Sequence, residues 1–149
     1  MEIPDDNKQV FVDTNILVFA NVATSPFHEK AKAKLIELAD NNYGLWISSQ
    51  VIREYLAVLS RPDVNGKKIA DELLINDVKR LRTEYHIFFE GDETLDNLQM
   101  LLSLCPTGGK QIHDANIVAT MISNDLKVLL THNVADFVRF SKFITTITI

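Results

Sequence analysis

The sequence predicts an α/β fold built on a central parallel sheet, on three observations. Short apolar runs without polar alternation, such as Val10-Phe11-Val12 and Leu45-Trp46-Ile47, read as strands buried on both faces. Longer amphipathic stretches alternate with them, as helices do between parallel strands. The first apolar run ends on Asp13, at the carboxyl end of a strand, where open α/β sheets place their ligand crevice. The 149 residues suit one domain, 1–149, with a real core and no internal repeat.

The elements follow in order. Val10–Val12 is the first strand, and a short helix from about Ile16 to Val22 leaves it. Ser25-Pro26 breaks the chain before a helix over His28–Asp40, whose Ala31, Leu35, Leu38 and Ala39 form an apolar stripe. After the turn Asn41–Gly44, Leu45–Ile47 is the second buried strand, and Ser48-Ser49 caps a helix to about Ser60. The loop Arg61–Gly66 leads to a helix over Lys67–Thr83, then a short strand His86–Phe89 and a helix over Glu93–Leu104. The loop Pro106–Gly109 precedes a helix over Ile112–Asn124. Lys127–Thr131 is a strand, and Phe143–Ile149 is a last, edge-like one.

A hydrophobic content of 46% with 23% charged residues is ordinary for a soluble globular protein. No apolar stretch is long enough to span a bilayer, and Met1–Asn7 is acidic without a signal core. The single cysteine, Cys105, excludes an internal disulfide and reads as structural, which points to the cytoplasm. A net charge of −5 argues against a strong nonspecific grip on nucleic acid, but not against a local basic patch.

A buried carboxylate at Asp13 needs a partner or a cation to offset its desolvation. Asp114 starts a helix with Val118, Met121 and Ile122 on its own broad face and Asn116 and Thr120 opposite. It is either a helix N-cap or a member of a shared crevice. Glu54 lies off the apolar centre set by Val51, Ile52, Tyr55, Leu56 and Leu59. A solvated face explains it alone, although it leaves the second strand near the edge that carries Asp13. Thr131-His132-Asn133-Val134-Ala135-Asp136 exits another buried strand, as a capping turn or as a third contributor to the crevice. Oxygen-rich clusters of this kind suit Mg²⁺ or Mn²⁺. Such ions serve displacement at phosphorus, with two ions about 4 Å apart in the full arrangement.

Taken together, Phe11-Val12-Asp13-Thr14-Asn15-Ile16-Leu17, the helix carrying Glu54, His113-Asp114-Ala115 and Leu130–Phe137 resemble a PIN domain, specifically a VapC-type toxin ribonuclease. The resemblance covers essentially the whole chain. It implies a three-layer α/β/α fold and a Mg²⁺-dependent endoribonuclease (Mn²⁺ in its place) that hydrolyses RNA phosphodiester bonds with water. It also implies a cognate antitoxin partner and a homodimer. By that resemblance Asp13 and Asp114 hold the principal ion, Glu54 completes the catalytic acids, and Asn15 and Thr131 support them. The sequence departs from the family pattern at Asn133, where many relatives carry a fourth acid, with Asp136 three residues on.

Other readings fare worse. A haloacid-dehalogenase-type phosphatase needs a second acid two residues after the first, and Asn15 cannot exchange a proton. A receiver domain needs an acidic pair at the first strand and an acid after a third. His28, His86, His113 and His132 lack zinc-ligand spacing, and His113 and His132 read as surface or packing residues. A PIN-like scaffold that binds RNA or protein without cutting stands as the alternative, because of Asn133. Arg53, Arg61, Lys67, Lys68, Lys79, Arg80 and Arg82 are the cations available to grip a substrate, interleaved with acids.

Overall fold

A computed structural model describes residues 8–149; the acidic segment Met1–Asn7 lies outside the described residues. The elements run β1 (Gln9–Val12), α1 (Thr14–Asn21), α2 (His28–Asp40), β2 (Gly44–Ser48), α3 (Ser49–Leu59), α4 (Asp71–Glu84), β3 (His86–Phe88), α5 (Asp92–Leu104), α6 (Gln111–Ser123) and β4 (Val128–Leu130). A 3-10 helix, Val134–Phe140, and the strand β5 (Thr145–Ile147) complete the chain. The five strands form one all-parallel sheet in the order β3-β2-β1-β4-β5. Right-handed crossovers assign α1–α4 to one face and α5–α6 to the other. Packing follows that division, α1 against α2 and α3, and α5 against α6. This is the expected three-layer α/β/α arrangement.

Burial tracks strand position. Val10, Phe11 and Val12 of β1 are fully buried and β4 nearly so, as unalternated apolar runs require. The edge strands β3 and β5 are only partly covered. Strand β2 departs from the expected full burial: Ile47 is buried, but Leu45 and Trp46 are half-buried. Trp46 lies second from the edge, stacked on Phe88 with ring centroids 4.1 Å apart, and its indole N–H donates to Gln9 Oε1.

Three further expectations need correction. Helix α4 begins at Asp71, not Lys67, because Asp63 Oδ1 accepts hydrogen bonds from the Asn65 and Lys67 backbone N–H groups at 2.8 Å and holds this stretch as a loop. Helix α6 has no solvent stripe over Thr120, which is fully buried; Asn116 is half-buried. The reason is that α6 packs on α5 and the 3-10 helix as well as lying over the sheet. The apolar stripe of α2 is also narrower than expected. Ala31, Leu35 and Leu38 belong to the core, whereas Ala39, expected with them, is exposed at the flank of the stripe. In α4, Leu73 and Ile75 are exposed and only Leu81 is buried.

Cys105 is buried, and its thiol donates to the Arg139 carbonyl at 3.4 Å, a structural setting. No helix among the described residues is long and apolar enough to cross a membrane.

Candidate active site

The strand order places the crevice. From β1 the chain steps outward to β2 and β3, then returns to β4 and β5 on the other side of β1. The order reverses at β1/β4, and ligand sites of open α/β sheets lie outside the carboxyl ends of the strands at such a point. Asp13 follows β1 and Thr131 follows β4. The Asp13 N–H donates to the Leu130 carbonyl at 2.9 Å, which carries the β1–β4 pairing into the crevice.

Asp13 is 7% exposed. It is the N-cap of α1: one carboxylate oxygen accepts from the Thr14 N–H at 2.7 Å, and the other from Thr131 Oγ1 at 2.7 Å. Burial nevertheless pushes its carboxyl up to about 6, against those two hydrogen bonds and with help from the charges of Glu54 and Asp136. Thr14 serves both acids, because its hydroxyl donates to Glu54 Oε2 at 2.7 Å.

Glu54 is therefore half-buried and tethered, not on a solvated face. Its other oxygen accepts from Gln50 Nε2 at 2.8 Å. Gln50, buried to 4% exposure, also donates to the His113 carbonyl at 2.9 Å and accepts from Asn116 Nδ2 at 2.8 Å. It ties α3 to the first turn of α6 and so sets Glu54 relative to Asp114.

Asp114 is not a helix cap. Lys110 holds that position, and Asp114 sits one turn in, half-buried. Its carboxyl is also pushed up to about 6, first by burial and then by the charges of Asp13, Asp136 and Glu54, with Arg139 opposing. No described residue donates a hydrogen bond to its side chain, so its lone pairs are open to water or to a ligand in the pocket.

Asp13, Thr14, Asn15, Glu54, Asp114 and Asn133 line one open pocket of about 420 Å³, with Val18, Phe19, Ala57, Val58 and Arg61 on its walls. Asn15 Oδ1 accepts from the His132 N–H at 3.3 Å, and Thr131 Oγ1 accepts from the Asn133 N–H at 3.1 Å. Asn133 thus reaches the pocket. Asp136, exposed at the start of the 3-10 helix, does not line it and acts on Asp13 and Asp114 through charge. His132 packs edge-on against Phe19 at 5.3 Å, and His113 is exposed, so neither histidine joins the acids.

Among the described residues, no three His, Cys, Asp or Glu side chains are gathered closely enough to cage a metal by themselves. The donor set still fits one class of ion. It offers hard oxygens from carboxylates and amides, and Mg²⁺ is commonly held by one or two carboxylates with water filling the rest. The Asp114 carboxylate without a donor, beside the desolvated Asp13, is the pair such a cation would relieve.

Two functional side chains were missed in the sequence. Gln50 stands four residues before Glu54, a spacing that puts both on one helix face, and Thr14 directly follows Asp13. Replacing Gln50 by Met is expected to slow catalysis by about ten- to a hundredfold, the usual cost of losing a supporting hydrogen bond to a functional carboxylate. Comparing turnover with Tm separates that loss from destabilisation.

The raised carboxyls have a thermodynamic consequence. Between the ordinary value of 3.8 and about 6, folded Asp13 and Asp114 hold protons that the unfolded chain has released. Stability without metal must therefore fall as pH rises through that window. At about 1.4 kcal/mol per pH unit, Asp13 alone contributes about 3 kcal/mol to the fall. Tm measured in EDTA from pH 4 to 7 is expected to show it, less steeply in Asp13→Asn.

Comparison with known proteins agrees with this architecture. A family model for the PIN domain matches residues 10–142. The curated protein Ribonuclease VapC48 of Mycobacterium tuberculosis is 27% identical over 131 residues, covering 86% of this chain and 89% of its own. A crystal structure of VapBC2 from Rickettsia felis, bound to a DNA fragment from its promoter, superposes with a TM-score of 0.67 at 17% identity. It covers 95% of this chain and 98% of the other. VapC20 of Mycobacterium tuberculosis, described as a Sarcin-Ricin loop cleaving toxin, superposes with a TM-score of 0.62 at 19% identity, covering 80% and 86%. With the family match spanning most of its length, the chain belongs to the PIN-domain family.

Proposed function

We propose that this protein is a divalent-cation-dependent endoribonuclease, the toxin of a toxin–antitoxin pair, that hydrolyses RNA phosphodiester bonds. The observation that carries the reading is the convergence of Asp13, Glu54 and Asp114 on one pocket at the switch point of the sheet, in a PIN-domain chain similar to a protein named as a ribonuclease.

Asp13 and Asp114 are the residues that would hold Mg²⁺, or Mn²⁺ in its place. When bound, that ion supplies charge neutralisation at the phosphate and a lower pKa for the attacking water. The chain's own groups do the rest. Thr14 and Thr131 fix both oxygens of Asp13, so its carboxylate presents one orientation to the pocket. Glu54, held at each oxygen by Thr14 and Gln50, is the base positioned to orient the water and take its proton. Asn15 holds the turn after β4 against the start of α1, and Asn133 offers a neutral ligand at the rim. A neutral Asn133 in place of a fourth acid favours one strong cation site over two.

The antitoxin partner rests on a surface feature. Leu56, Leu74, Ile75 and Val78 line an apolar groove between α3 and α4, next to the exposed Leu73. Such a groove suits an amphipathic helix, and a VapBC complex is among the chains with this fold. Homodimer formation and a cytoplasmic setting, consistent with one buried thiol, belong to the same proposal.

The test is direct. Purified protein should cut single-stranded RNA internally in Mg²⁺ and stop in EDTA.

A further inference from the structure

The acidic pocket does not stand alone. Arg61 lines it, and Arg61 also lines a second groove, of about 500 Å³, with Leu59, Asp63, Lys67, Lys68, Ile69, Ala70 and Leu73. The two depressions share this one residue. Three cations, Arg61, Lys67 and Lys68, face a single acid in that groove, Asp63, and its carboxylate already accepts from two backbone N–H groups.

The loop that carries them is built to hold its shape. The Asp63 N–H donates to the Lys67 carbonyl at 2.9 Å and the Gly66 N–H to the Asp63 carbonyl at 2.9 Å. Gly66 turns the chain at φ 77°, where a side chain would be strained. The backbone at Lys67 is therefore held, in the groove that Arg61 also lines. Among the described residues, the side chains of Arg61, Lys67 and Lys68 make no hydrogen bond or ion pair. Arg80, by contrast, is engaged by Glu84 at 2.8 Å, Asp77 at 3.4 Å and Asn21 at 2.8 Å, and Arg139 by Gln111 and the Pro106 carbonyl.

We propose that Arg61, Lys67 and Lys68 form a phosphate track that carries single-stranded RNA away from the acidic pocket. The inference rests on the ribonuclease reading above and assigns the substrate path of that same site. A chain of net charge −5 has no bulk attraction for RNA. Its grip must come from a local line of unpaired cations that begins at the pocket. The order also makes chemical sense. Arg61, at the pocket wall, meets the phosphate beside the scissile one with a planar, multidentate donor. Lys67 and Lys68 then neutralise later phosphates as point charges. A pocket of about 420 Å³ has room for a nucleotide-sized group, which suits an unpaired strand.

The test compares Lys67→Gln/Lys68→Gln and Arg61→Gln with Lys127→Gln/Lys142→Gln. The last pair removes two charges at the amino ends of β4 and β5, the opposite end of the sheet from the pocket. KM and kcat are read in Mg²⁺ on a fluorescein-labelled oligouridylate of about 15 nucleotides. Kd is read by anisotropy on the same probe in EDTA at several salt concentrations. The track predicts that Lys67→Gln/Lys68→Gln raises KM and Kd by about tenfold and flattens the slope of log K against log salt by about 1.4, as expected for two lost phosphate contacts on a single strand. Arg61→Gln should raise Kd and lower kcat/KM, and the control pair should match wild type. If wild type cleaves the RNA and Lys67→Gln/Lys68→Gln binds and cleaves like the control pair, the track is wrong and these cations are left for a protein partner. If wild type neither binds nor cleaves RNA, the ribonuclease reading falls and the track falls with it.

Discussion

Asp13→Asn is expected to reduce RNA cleavage by about a hundred- to a thousandfold while leaving the fold intact, and Asp114→Asn to do the same. Losses of two to three orders of magnitude are typical when one group aimed at developing transition-state charge is removed. The Asp13 substitution makes a sharper statement when stability is measured beside activity. Asp13 is 7% exposed with a carboxyl pushed up to about 6, so at neutral pH the metal-free fold carries a poorly solvated charge. Asparagine keeps an acceptor for the Thr14 N–H and removes that charge. In EDTA at neutral pH the variant should therefore melt at or above the wild-type Tm, although it is inactive. A residue kept for packing would behave in the opposite way, losing stability with little change in chemistry.

Removing the divalent cation is expected to have an effect of similar size. EDTA should stop cleavage and added Mg²⁺ or Mn²⁺ should restore it. The same cation should raise the Tm of the wild type, since a ligand bound only by the folded state stabilises by RT ln(1 + [L]/Kd), about 2.7 kcal/mol at a hundredfold excess over Kd. The stabilisation should be largely lost in Asp114→Asn, whose carboxylate, unlike those of Asp13 and Glu54, accepts from no described residue. A Tm that rises equally in wild type and Asp114→Asn would place the ion elsewhere. Because the raised carboxyls of Asp13 and Asp114 favour the protonated forms below about pH 6, cation binding should weaken as pH falls through that value.

The parts of the fold written in local pattern were legible. The unalternated run Val10–Val12 read as a strand covered on both faces, and it is fully buried at the centre of the sheet between β2 and β4. The amphipathic stripe of α2 identified Ala31, Leu35 and Leu38 as core, and wrongly added Ala39, which is exposed. What local pattern cannot carry is which strands lie side by side. The site exists because β4 pairs with β1, which brings Thr131 to Asp13 across 118 residues of chain. Glu54 misled for a related reason. Off the apolar centre of its own helix it looked solvated, yet Thr14, forty positions away in sequence, donates to it.

Asp114 and Thr120 show a second limit. A helical wheel divides α6 into two faces, but a helix buried on most sides has no free face, and Thr120 is covered completely. The capping role considered for Asp114 belongs instead to Asp13, which joins two duties in one side chain. The spacing of Gln50 to Glu54 marks only a shared helix face, and a sequence does not show a glutamine to be the joint between two helices. Its three hydrogen bonds to Glu54, His113 and Asn116 are tertiary facts.

The central claim is that Asp13 and its neighbours make a cation-dependent site for cutting RNA. A single-turnover time course on end-labelled single-stranded RNA tests it most directly, with wild type and Asp13→Asn each run in Mg²⁺ and in EDTA. The account predicts internal cleavage products in the lane with wild type and Mg²⁺, and intact RNA in the other three. Equal cleavage by Asp13→Asn, or undiminished cleavage in EDTA, would contradict it; RNA bound but left whole by the wild type in Mg²⁺ would mark the fold as a non-catalytic binding scaffold.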